Sequence, residues 1–318
     1  MQVFAAAEVQ TYWGWSLEDW RNVFLIFSSL VLAPLAFILA LWRARIANRQ
    51  TNLSEQAANL DRFQKGAQML GDKRLSVRQA GIIILNDLAK SELEKHSKQR
   101  NNLPLNCAEV LEKFIADRGH EIPVTEDRGH IINSNPISAD AQFALEVLIK
   151  INATTKKPIN LQGANLTGAY LANAMLRYAK LNQVMLDGAY LEGANLDHAT
   201  LTDASLTSAN LKNTKLRRTN MNRADLYSAK LYSADIRGSK LVGAIFKNSS
   251  LHNAILLEAN LRHADFSGAD LSGTHFPEDI ESQMDYSRIK FEEASAYTEH
   301  PPKNLPKSIK LIEDDIPF

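Results

Sequence analysis

A large apolar residue recurs at every fifth position from Leu161 to Phe276, twenty-four times without a slip. Neither regular secondary structure has this period, because a helix repeats near 3.6 residues and a strand near two. From Ala164 onward a small or compact residue, most often alanine, stands two positions before each large one, and the other three positions are mostly polar. The period therefore predicts a repeat architecture with a narrow core, built from one large and one small side chain in every five.

The stretches GANLTGAYL and EGANLDHATL resemble the pentapeptide-repeat family, whose signature is A-[DN]-L-x-x. The resemblance implies a mainly β solenoid, a right-handed quadrilateral parallel β-helix with four pentapeptides in each coil. Residues 160–276 would then make about six coils, and a rod roughly 29 Å long if successive coils lie about 4.8 Å apart. Because the leucine and alanine columns fill the core, function is expected on the outward positions.

An uncharged apolar segment, residues 22–42, is long enough to span a bilayer. Tryptophans, which favour membrane interfaces, flank it at Trp13, Trp15, Trp20 and Trp42. Arginines follow it at Arg43, Arg45 and Arg49. The positive-inside rule then places residues 1–21 outside the inner (plasma) membrane, at its interface, and the remaining chain in the cytoplasm. A cleaved signal peptide is the alternative, but its apolar core would be shorter and preceded by the positive charge.

Residues 43–155 are predicted to form a cytoplasmic α-helical segment, and the spacing of apolar residues is helical in several stretches. The interval 117–137, which contains two glycines and two prolines, is predicted to be a loop. This segment resembles the helices that precede the repeats in many bacterial pentapeptide-repeat proteins. Its last helix, 138–151, is expected to begin at an N-cap serine, Ser138, and to cap the first coil.

Residues 277–318 are expected to form a cap at the other end of the β-helix, followed by a proline-rich, partly disordered tail. A cap is needed because an open β-helix end exposes unpaired strand edges. The resemblance to pentapeptide-repeat proteins extends weakly into this region, so that it covers about residues 62–306. It implies an architecture, and it brings no established activity with it.

The sequence offers no catalytic constellation. Its eight histidines lack metal-ligand spacing, and the single cysteine, Cys107, lies on the apolar side of a predicted helix and is expected to be a buried thiol. The tetrapeptide DRGH occurs at 117–120 and at 127–130, which we interpret as solvated loop. No catalytic residue, metal site or cofactor is therefore predicted, and an enzyme is the least favoured class.

The outer wall suggests a binding surface, because positions twenty residues apart should stack on one face. One such face is predicted to contain Arg177, Lys215, Arg217, Arg218 and Arg237, interrupted by Asp197 and Asp235. Tyr170 and Tyr190 stack on another face, and Tyr232 lies further along it. Tyrosine and arginine are enriched at binding hot spots, so these residues are the candidate partner-binding face. The alternative is a basic face that only contacts water.

These features favour a non-enzymatic, inner-membrane-anchored module that presents its rod to an unknown cytoplasmic protein partner. The alternative is a membrane sensor or effector that acts through homo-oligomerisation, as in stress or phage defence. Some pentapeptide-repeat proteins mimic DNA and bind topoisomerases, but residues 160–276 contain nine acidic and twelve basic residues, the wrong sign for a DNA mimic. No specific nucleic acid is expected, and residues 22–42 provide the contact with lipid.

Overall fold

The computed structural model describes residues 14, 16–95, 101–118, 124–127, 130–133, 136–278, 294–297, 302–304 and 312–314. The chain divides into two compact units, Met1–Asp61 and Arg62–Phe318. The boundary falls within a long helix, and each unit is described by itself below.

The first unit is helical throughout its described part from Leu17 onward. Helix α1 (Leu17–Phe27) is followed by a π-helical turn (Ser28–Leu32) and by α2 (Ala33–Met69). Ser16 and Asp19 form a capping box, which satisfies two backbone N–H groups where α1 begins. The wide turn precedes Pro34, whose ring crowds the carbonyl four residues earlier. In that turn the Ala33 N–H donates to the Ser28 carbonyl, five residues back, so the helix absorbs the proline by widening.

The apolar side chains of this unit face outward rather than into a core. Leu25, Phe27, Leu30 and Phe37 are all at least half exposed. The hydroxyls of Ser28 and Ser29 donate to carbonyls within the helix, so they add no unsatisfied polar groups. In the described part of the chain, this is the one helix that is long and apolar enough to cross a membrane.

The second unit opens with helices α3 (Leu75–Leu93), α4 (Leu103–Asp117) and α5 (Ala139–Thr155). Their buried faces share one apolar core, which includes Ile82, Leu85, Cys107, Leu111, Ile115, Leu145 and Leu148. The predicted last helix is confirmed, with Ser138 in the extended N-cap position, although its side chain makes no cap hydrogen bond. The Cys107 thiol is buried, as expected, and burial raises its pKa to about 12, so it stays protonated.

A buried ion pair joins two of these helices. Arg78 Nε lies 2.5 Å from Asp140 Oδ2, and Arg78 Nη1 also donates to the carbonyls of Asp72 and Lys73 at 3.0 and 2.8 Å. Burial alone would raise the pKa of Asp140, but hydrogen bonds from Ser138 and Arg78 outweigh it and hold the pKa below its ordinary value. Arg78 therefore fixes the start of α5 against the loop that precedes α3.

The prediction of a loop at 117–137 was wrong in its middle part. Strands β1 (Val124–Asp127) and β2 (His130–Asn133) pair antiparallel, with Asp127 opposite His130. The second DRGH tetrapeptide thus bridges two strands of a hairpin. The sequence contains a usable signal, since β-branched residues occur on both sides of a two-residue Arg-Gly step.

The repeat segment forms a stack of coils in which each pentapeptide pairs, parallel, with the one twenty residues later. Four pentapeptides therefore make one coil, as the resemblance implied. We number four faces by their first bridged residue: face 1 starts at Asn160, face 2 at Asn165, face 3 at Tyr170 and face 4 at Met175. Each face continues every twentieth residue, and both backbone groups of a bridge are used, as in Lys180 N to Ile159 O (2.8 Å) and Leu161 N to Lys180 O (2.9 Å).

The core of the stack is the predicted pair of columns. The large fifth-position residues and the small residues two positions earlier are buried along the whole segment. Toward the last coils phenylalanine replaces leucine, and the rings of Phe246 and Phe266 stack with centroids 4.8 Å apart. Phe276 meets Phe266 edge-on at 5.9 Å, so the aromatic column runs to the end of the repeats.

The first coil is capped by side chains of the helical segment, as predicted for α5. Gln142 accepts from the Tyr170 N–H at 3.0 Å and donates to the Tyr170 carbonyl at 3.1 Å, as a neighbouring strand would. Asn152 donates to the Met175 carbonyl on face 4, and Glu112 of α4 accepts from the Asn160 N–H on face 1. These contacts satisfy the edge that would otherwise invite pairing with another chain.

The last coil is continued by residues beyond 278. Ser295 pairs with Asp270 on face 3, and Lys303 pairs with His275 on face 4. Ser295 belongs to β3 (Ser295–Tyr297), which pairs parallel with β4 (Ile312–Asp314). The covering of this end thus extends as far as Lys303, and residues 279–293 of the predicted cap lie outside the described residues.

Candidate binding surface

The corners between faces distinguish one side of the stack from the other. Two residues connect consecutive faces, and the second has φ between 52° and 70° at all twenty-three corners from residue 163 to residue 273. This left-handed conformation suits glycine and, less well, asparagine. The corners after faces 2 and 3 hold only glycine, serine and asparagine there.

The corners after faces 4 and 1 hold larger side chains in the same strained conformation, alongside three glycines. These are Tyr178, His198, Arg218 and Glu258 after face 4, and Gln183, Asp203, Arg223 and His263 after face 1. Each costs roughly 1 kcal/mol relative to glycine. The fold closes without such residues at the other two corners, so these larger side chains are concentrated on the flanks of face 1.

We call residues 177–178, 197–198, 217–218, 237–238 and 257–258 the arginine corner. Arg217 reaches back one coil to Asp197, with Nη2 2.5 Å from Oδ2 and Nε 3.2 Å from both carboxylate oxygens. Burial alone would raise the pKa of Asp197, but the hydrogen bonds and charge of Arg217 outweigh it and lower the pKa. Asp197 stays ionised, and it fixes the Arg217 guanidinium at the surface.

Arg237 is held in the same way from face 4. Its Nε and Nη2 lie 2.8 and 2.7 Å from the two carboxylate oxygens of Asp235. Burial opposes ionisation of Asp235, yet Arg237 lowers the pKa of this carboxyl below its ordinary value. Asp235 also lies 3.9 Å from Arg217 Nε. The two predicted interruptions of the basic face, Asp197 and Asp235, therefore orient two of its arginines, Arg217 and Arg237.

The remaining residues of the arginine corner stack on one another. The Arg177 guanidinium lies 5.2 Å from the centroid of the Tyr178 ring, and that ring stacks on His198 at 4.9 Å with a 14° interplanar angle. Arg218 runs across Gly238, where an added Cβ would come within 3.3 Å of its Cγ. A shallow groove of about 380 Å³ at this corner is lined by Arg177, Asp197, His198, Arg217, Arg218, Arg237 and Glu258.

The remaining predicted surface residues, one lysine and three tyrosines, lie outside the arginine corner. Lys215 is exposed on face 4, where it bridges to Asp235, beside the arginine corner. Tyr170 and Tyr190 are neighbours on face 3, with ring centroids 6.4 Å apart. Tyr232 lies at the corner after face 3 rather than in that column, where the Lys212 ammonium is 5.0 Å from its ring.

Exposed apolar side chains of the repeats cluster at the first coils. Among the described residues of the repeat segment, the large hydrophobic side chains exposed to water are Tyr170, Met175, Tyr178 and Tyr190. They lie on faces 3 and 4 and at the arginine corner, all within residues 170–190. Tyr178 adjoins the arginines, since the Arg177 guanidinium lies over its ring, whereas Tyr170 and Tyr190 lie on face 3, which face 4 separates from the arginine corner.

Charge divides unequally between the two sides of the stack. Face 1 and its two flanking corners contain eight basic and three acidic residues, a net charge of +5. The basic ones are Arg177, Lys180, Arg217, Arg218, Arg223, Arg237, Lys240 and Arg262. The rest of the repeat segment contains four basic and six acidic residues, a net charge of −2. Although acidic and basic residues are nearly equal in number over the whole segment, one of its sides is therefore strongly basic.

The corner diagonally opposite the arginine corner contains a buried carboxylate in the same position of its pentapeptide. This opposite corner comprises residues 167–168, 187–188, 207–208, 227–228, 247–248 and 267–268. Asp187 accepts a short hydrogen bond from the Ser205 hydroxyl and another from the Thr207 N–H at 3.0 Å. Burial raises the pKa of Asp187, and these hydrogen bonds offset it only in part, since no arginine is present to favour the charged form.

The predicted membrane-interface residues lie partly in the described chain. Trp20 and Trp42 are about half exposed, at 48% and 59%, and Arg43, Arg45 and Arg49 follow in α2. Trp13 and Trp15 lie outside the described residues. In the part of the chain that the structure describes, no group of three or more histidine, cysteine, aspartate or glutamate side chains could hold a metal ion.

The family model described as pentapeptide repeats matches eight copies in residues 159–193, 186–223, 211–248 and 244–277. Among solved structures, a pentapeptide repeat protein from the Arabidopsis thaliana thylakoid lumen is 28% identical, over 32% of this chain and 68% of that chain, with a TM-score of 0.26. HetL, a pentapeptide repeat protein involved in heterocyst differentiation regulation from the cyanobacterium Nostoc sp. strain PCC 7120, is 27% identical, over 43% of this chain and 71% of that chain (TM-score 0.21).

QnrB1, a plasmid-mediated fluoroquinolone resistance protein, is 20% identical, over 47% of this chain and 82% of that chain, with a TM-score of 0.26. No curated protein sequence matches the chain. Residues 159–277 are therefore a segment of pentapeptide repeats, matched by the family model in eight copies, and this segment forms a right-handed β-helix.

Proposed function

We propose that this protein is a non-enzymatic, inner-membrane-anchored interaction module that presents its repeats to a cytoplasmic protein partner. The observation that supports it most is the exposure of Tyr178 beside Arg177 at the arginine corner, where four arginines line one groove. Aromatic and arginine side chains supply most of the energy at protein interfaces. The net charge of +5 on this side favours an acidic partner.

Membrane anchoring is proposed from the apolar helix and its flanks. Helix α1, the π turn and the start of α2 expose their apolar side chains, and Trp20 and Trp42 lie on either side of residues 22–41. The arginines that follow Trp42 favour a cytoplasmic location for the repeats. A module fixed at the membrane meets its partner at a raised local concentration, so a modest affinity suffices.

The test is capture of partners from the native host, with the full chain solubilised in mild detergent. One variant carries Arg177→Glu and Arg218→Glu, because neither arginine forms an ion pair within the described residues. The matched control carries Lys230→Glu and Lys247→Glu, which change the charge equally on the other side of the stack. We expect a partner that the native chain and the control retain and the arginine variant loses.

Two results would contradict the proposal. Loss of the partner from both variants would indicate a nonspecific effect of net charge. Recovery of nothing but further copies of the chain, from the native protein as well, would instead favour the oligomerising membrane sensor or effector.

A further inference from the structure

The positive charge of the arginine corner comes from arginine and not from lysine. The repeat segment has six arginines and six lysines, and four of those arginines, Arg177, Arg217, Arg218 and Arg237, lie at this one corner. A basic surface that served only for solubility or for diffuse attraction would use either residue. Arginine differs from lysine by its planar fork of donors, which matches the geometry of an oxyanion.

Two of these forks are already oriented for a second acceptor. Arg217 and Arg237 each place Nε and Nη2 on a carboxylate, so the edge formed by Nη1 and the second Nη2 hydrogen is left over. Within the described residues, Nη1 of neither arginine has a hydrogen-bond partner. Both side chains remain nearly half exposed, at 44% and 47%. A ligand would therefore meet donors whose rotamers are fixed before it arrives.

Arg177 and Arg218 add positive charge to a groove that is also lined by Asp197 and Glu258. Neither forms an ion pair in the part of the chain that the structure describes, and both are exposed beside the groove. Arg177 is positioned by the Tyr178 ring, and Arg218 by its passage over Gly238. One carboxylate on a partner would be satisfied by a single arginine fork. Four guanidinium groups around one groove suit a group with more charge and more acceptor oxygens.

From this geometry we propose that the arginine corner binds a phosphate monoester on a phosphorylated protein partner. The inference rests on the proposed function, since it names the group that the partner brings to this surface. The phosphate oxygens would accept from the outer edges of Arg217 and Arg237, and Arg177 and Arg218 would balance its charge. The adjoining Tyr178 and His198 rings offer a surface for the peptide that carries it.

The test uses the full chain in detergent and a fluorescein-labelled peptide with two phosphoserines, followed by fluorescence anisotropy. A second peptide has glutamate at both positions. We expect the phosphopeptide to bind about tenfold more tightly or better, and inorganic phosphate to compete with it. Equal binding of the two peptides would overturn the inference.

The variants separate fork geometry from charge. Arg217→Lys with Arg237→Lys keeps the charge and removes both forks, and about a tenfold loss of phosphopeptide affinity is expected. The matched control is Arg223→Lys, because Arg223 makes the same fork to Asp203, at 2.6 and 2.8 Å, on the neighbouring corner. Its affinity should stay within about twofold of the native value, since Arg223 does not line the groove of the arginine corner. A loss as large as that of the paired variant would overturn the inference.

A further variant covers the case in which Arg217→Lys disturbs the fold. Arg177→Gln with Arg218→Gln removes two guanidinium groups that form no ion pair within the described residues, and it should also weaken phosphopeptide binding about tenfold. Unchanged affinity in this folded variant would contradict the proposal. Stronger competition by duplex DNA or phosphatidylglycerol vesicles than by inorganic phosphate, at equal phosphorus, would assign the corner to a phosphodiester and also overturn it.

The outcomes also separate this inference from the proposed function. If the phosphopeptide fails to bind while Arg177→Glu with Arg218→Glu still loses a captured partner, the inference fails and the proposed function stands. If the phosphopeptide binds as expected but no partner is captured, the site stands and the proposed function fails.

Discussion

The arginine corner and the opposite corner are made by the same backbone, and they differ in what their side chains do. At the opposite corner the strained second position contains glycine, serine or asparagine, which lowers the cost of the turn. At the arginine corner it contains Tyr178, His198, Arg218 and Glu258, which raise that cost. The stack thus closes with either set of residues, so closure of the coil does not by itself account for the large residues at the arginine corner.

The two buried aspartates show the same contrast within one position of the repeat. Asp187 and Asp197 both accept a backbone N–H from the next coil, at 3.0 and 3.1 Å. Asp187 has a serine hydroxyl as its side-chain partner and a raised pKa, whereas Asp197 has Arg217 and a lowered one. The backbone role is common to both corners, and the orientation of an arginine is added at one of them.

The largest expected loss of stability comes from a core substitution that should affect both corners equally. Phe266→Ala removes a ring that stacks on Phe246 and meets Phe276 edge-on, and it should lower the free energy of unfolding by about 3–5 kcal/mol. Urea denaturation followed by circular dichroism gives the size of the effect. Hydrogen exchange should lose protection at both corners of the adjoining coils. Loss confined to one corner would break the claim that they share one core.

The next largest effect is the difference in stability, at neutral pH, between variants of the two aspartates. Asp197→Asn removes the charged partner of Arg217 and should cost about 1–2 kcal/mol of stability, toward the lower value because Arg217 is partly exposed. Asp187→Asn should change stability by less than about 0.5 kcal/mol, since burial already disfavours the charged form there. Equal losses from the two variants in denaturant unfolding would contradict the comparison.

The same pair predicts opposite dependences on pH. The pKa of Asp187 is raised, so its contribution is complete below the ordinary value of 3.8 and is lost as the pH rises through the folded-state pKa. The pKa of Asp197 is lowered, so its contribution is present above 3.8 and is lost as the pH falls through the folded-state pKa. Relative to the native chain, Asp187→Asn should therefore gain stability as the pH rises from 4, and Asp197→Asn should lose its deficit below 4. Melting temperatures between pH 3 and pH 7 test both trends.

The smallest change in stability is expected when residue types are exchanged between the two corners. Glu258→Gly should raise stability by about 0.5–1 kcal/mol, because it relieves the left-handed conformation at φ 61°. Gly188→Glu should lower it by about 1 kcal/mol from backbone strain alone, since an added Cβ there meets nothing within 4 Å. If neither variant differs from the native chain in thermal unfolding, the large residues at the arginine corner impose no measurable backbone strain, which would contradict the comparison.

Much of the fold could be predicted from the sequence, because the five-residue period is a direct consequence of the core. Leu161 and each large residue after it have one possible role, and the twenty-residue coil followed from the family resemblance. The hairpin at Val124–Asn133 was missed, although its β-branched residues are readable, because the flanking glycines and prolines favoured a loop. The use of Gln142 as a substitute strand could not be predicted, since amide side chains carry no signal of their partner.

The candidate site was predicted in composition but not in arrangement. Twenty-residue spacing correctly brought Arg177, Arg217 and Arg237 to one corner. It did not indicate that Asp197 and Asp235 hold two of these arginines in place, because that depends on side-chain conformation. Nor did it reveal that the charge separates into sides of +5 and −2, which requires each residue to be assigned to a face or a corner.

The most direct test of the central claim, that the arginine corner contacts a partner, is site-specific photocrosslinking in native membranes. Benzoylphenylalanine would replace Tyr178 at the arginine corner or, as the matched control, Tyr227 at the opposite corner. We predict a discrete adduct with a different protein from position 178 and none from position 227. Equal adducts from both positions, or an adduct from position 227 alone, would contradict the account.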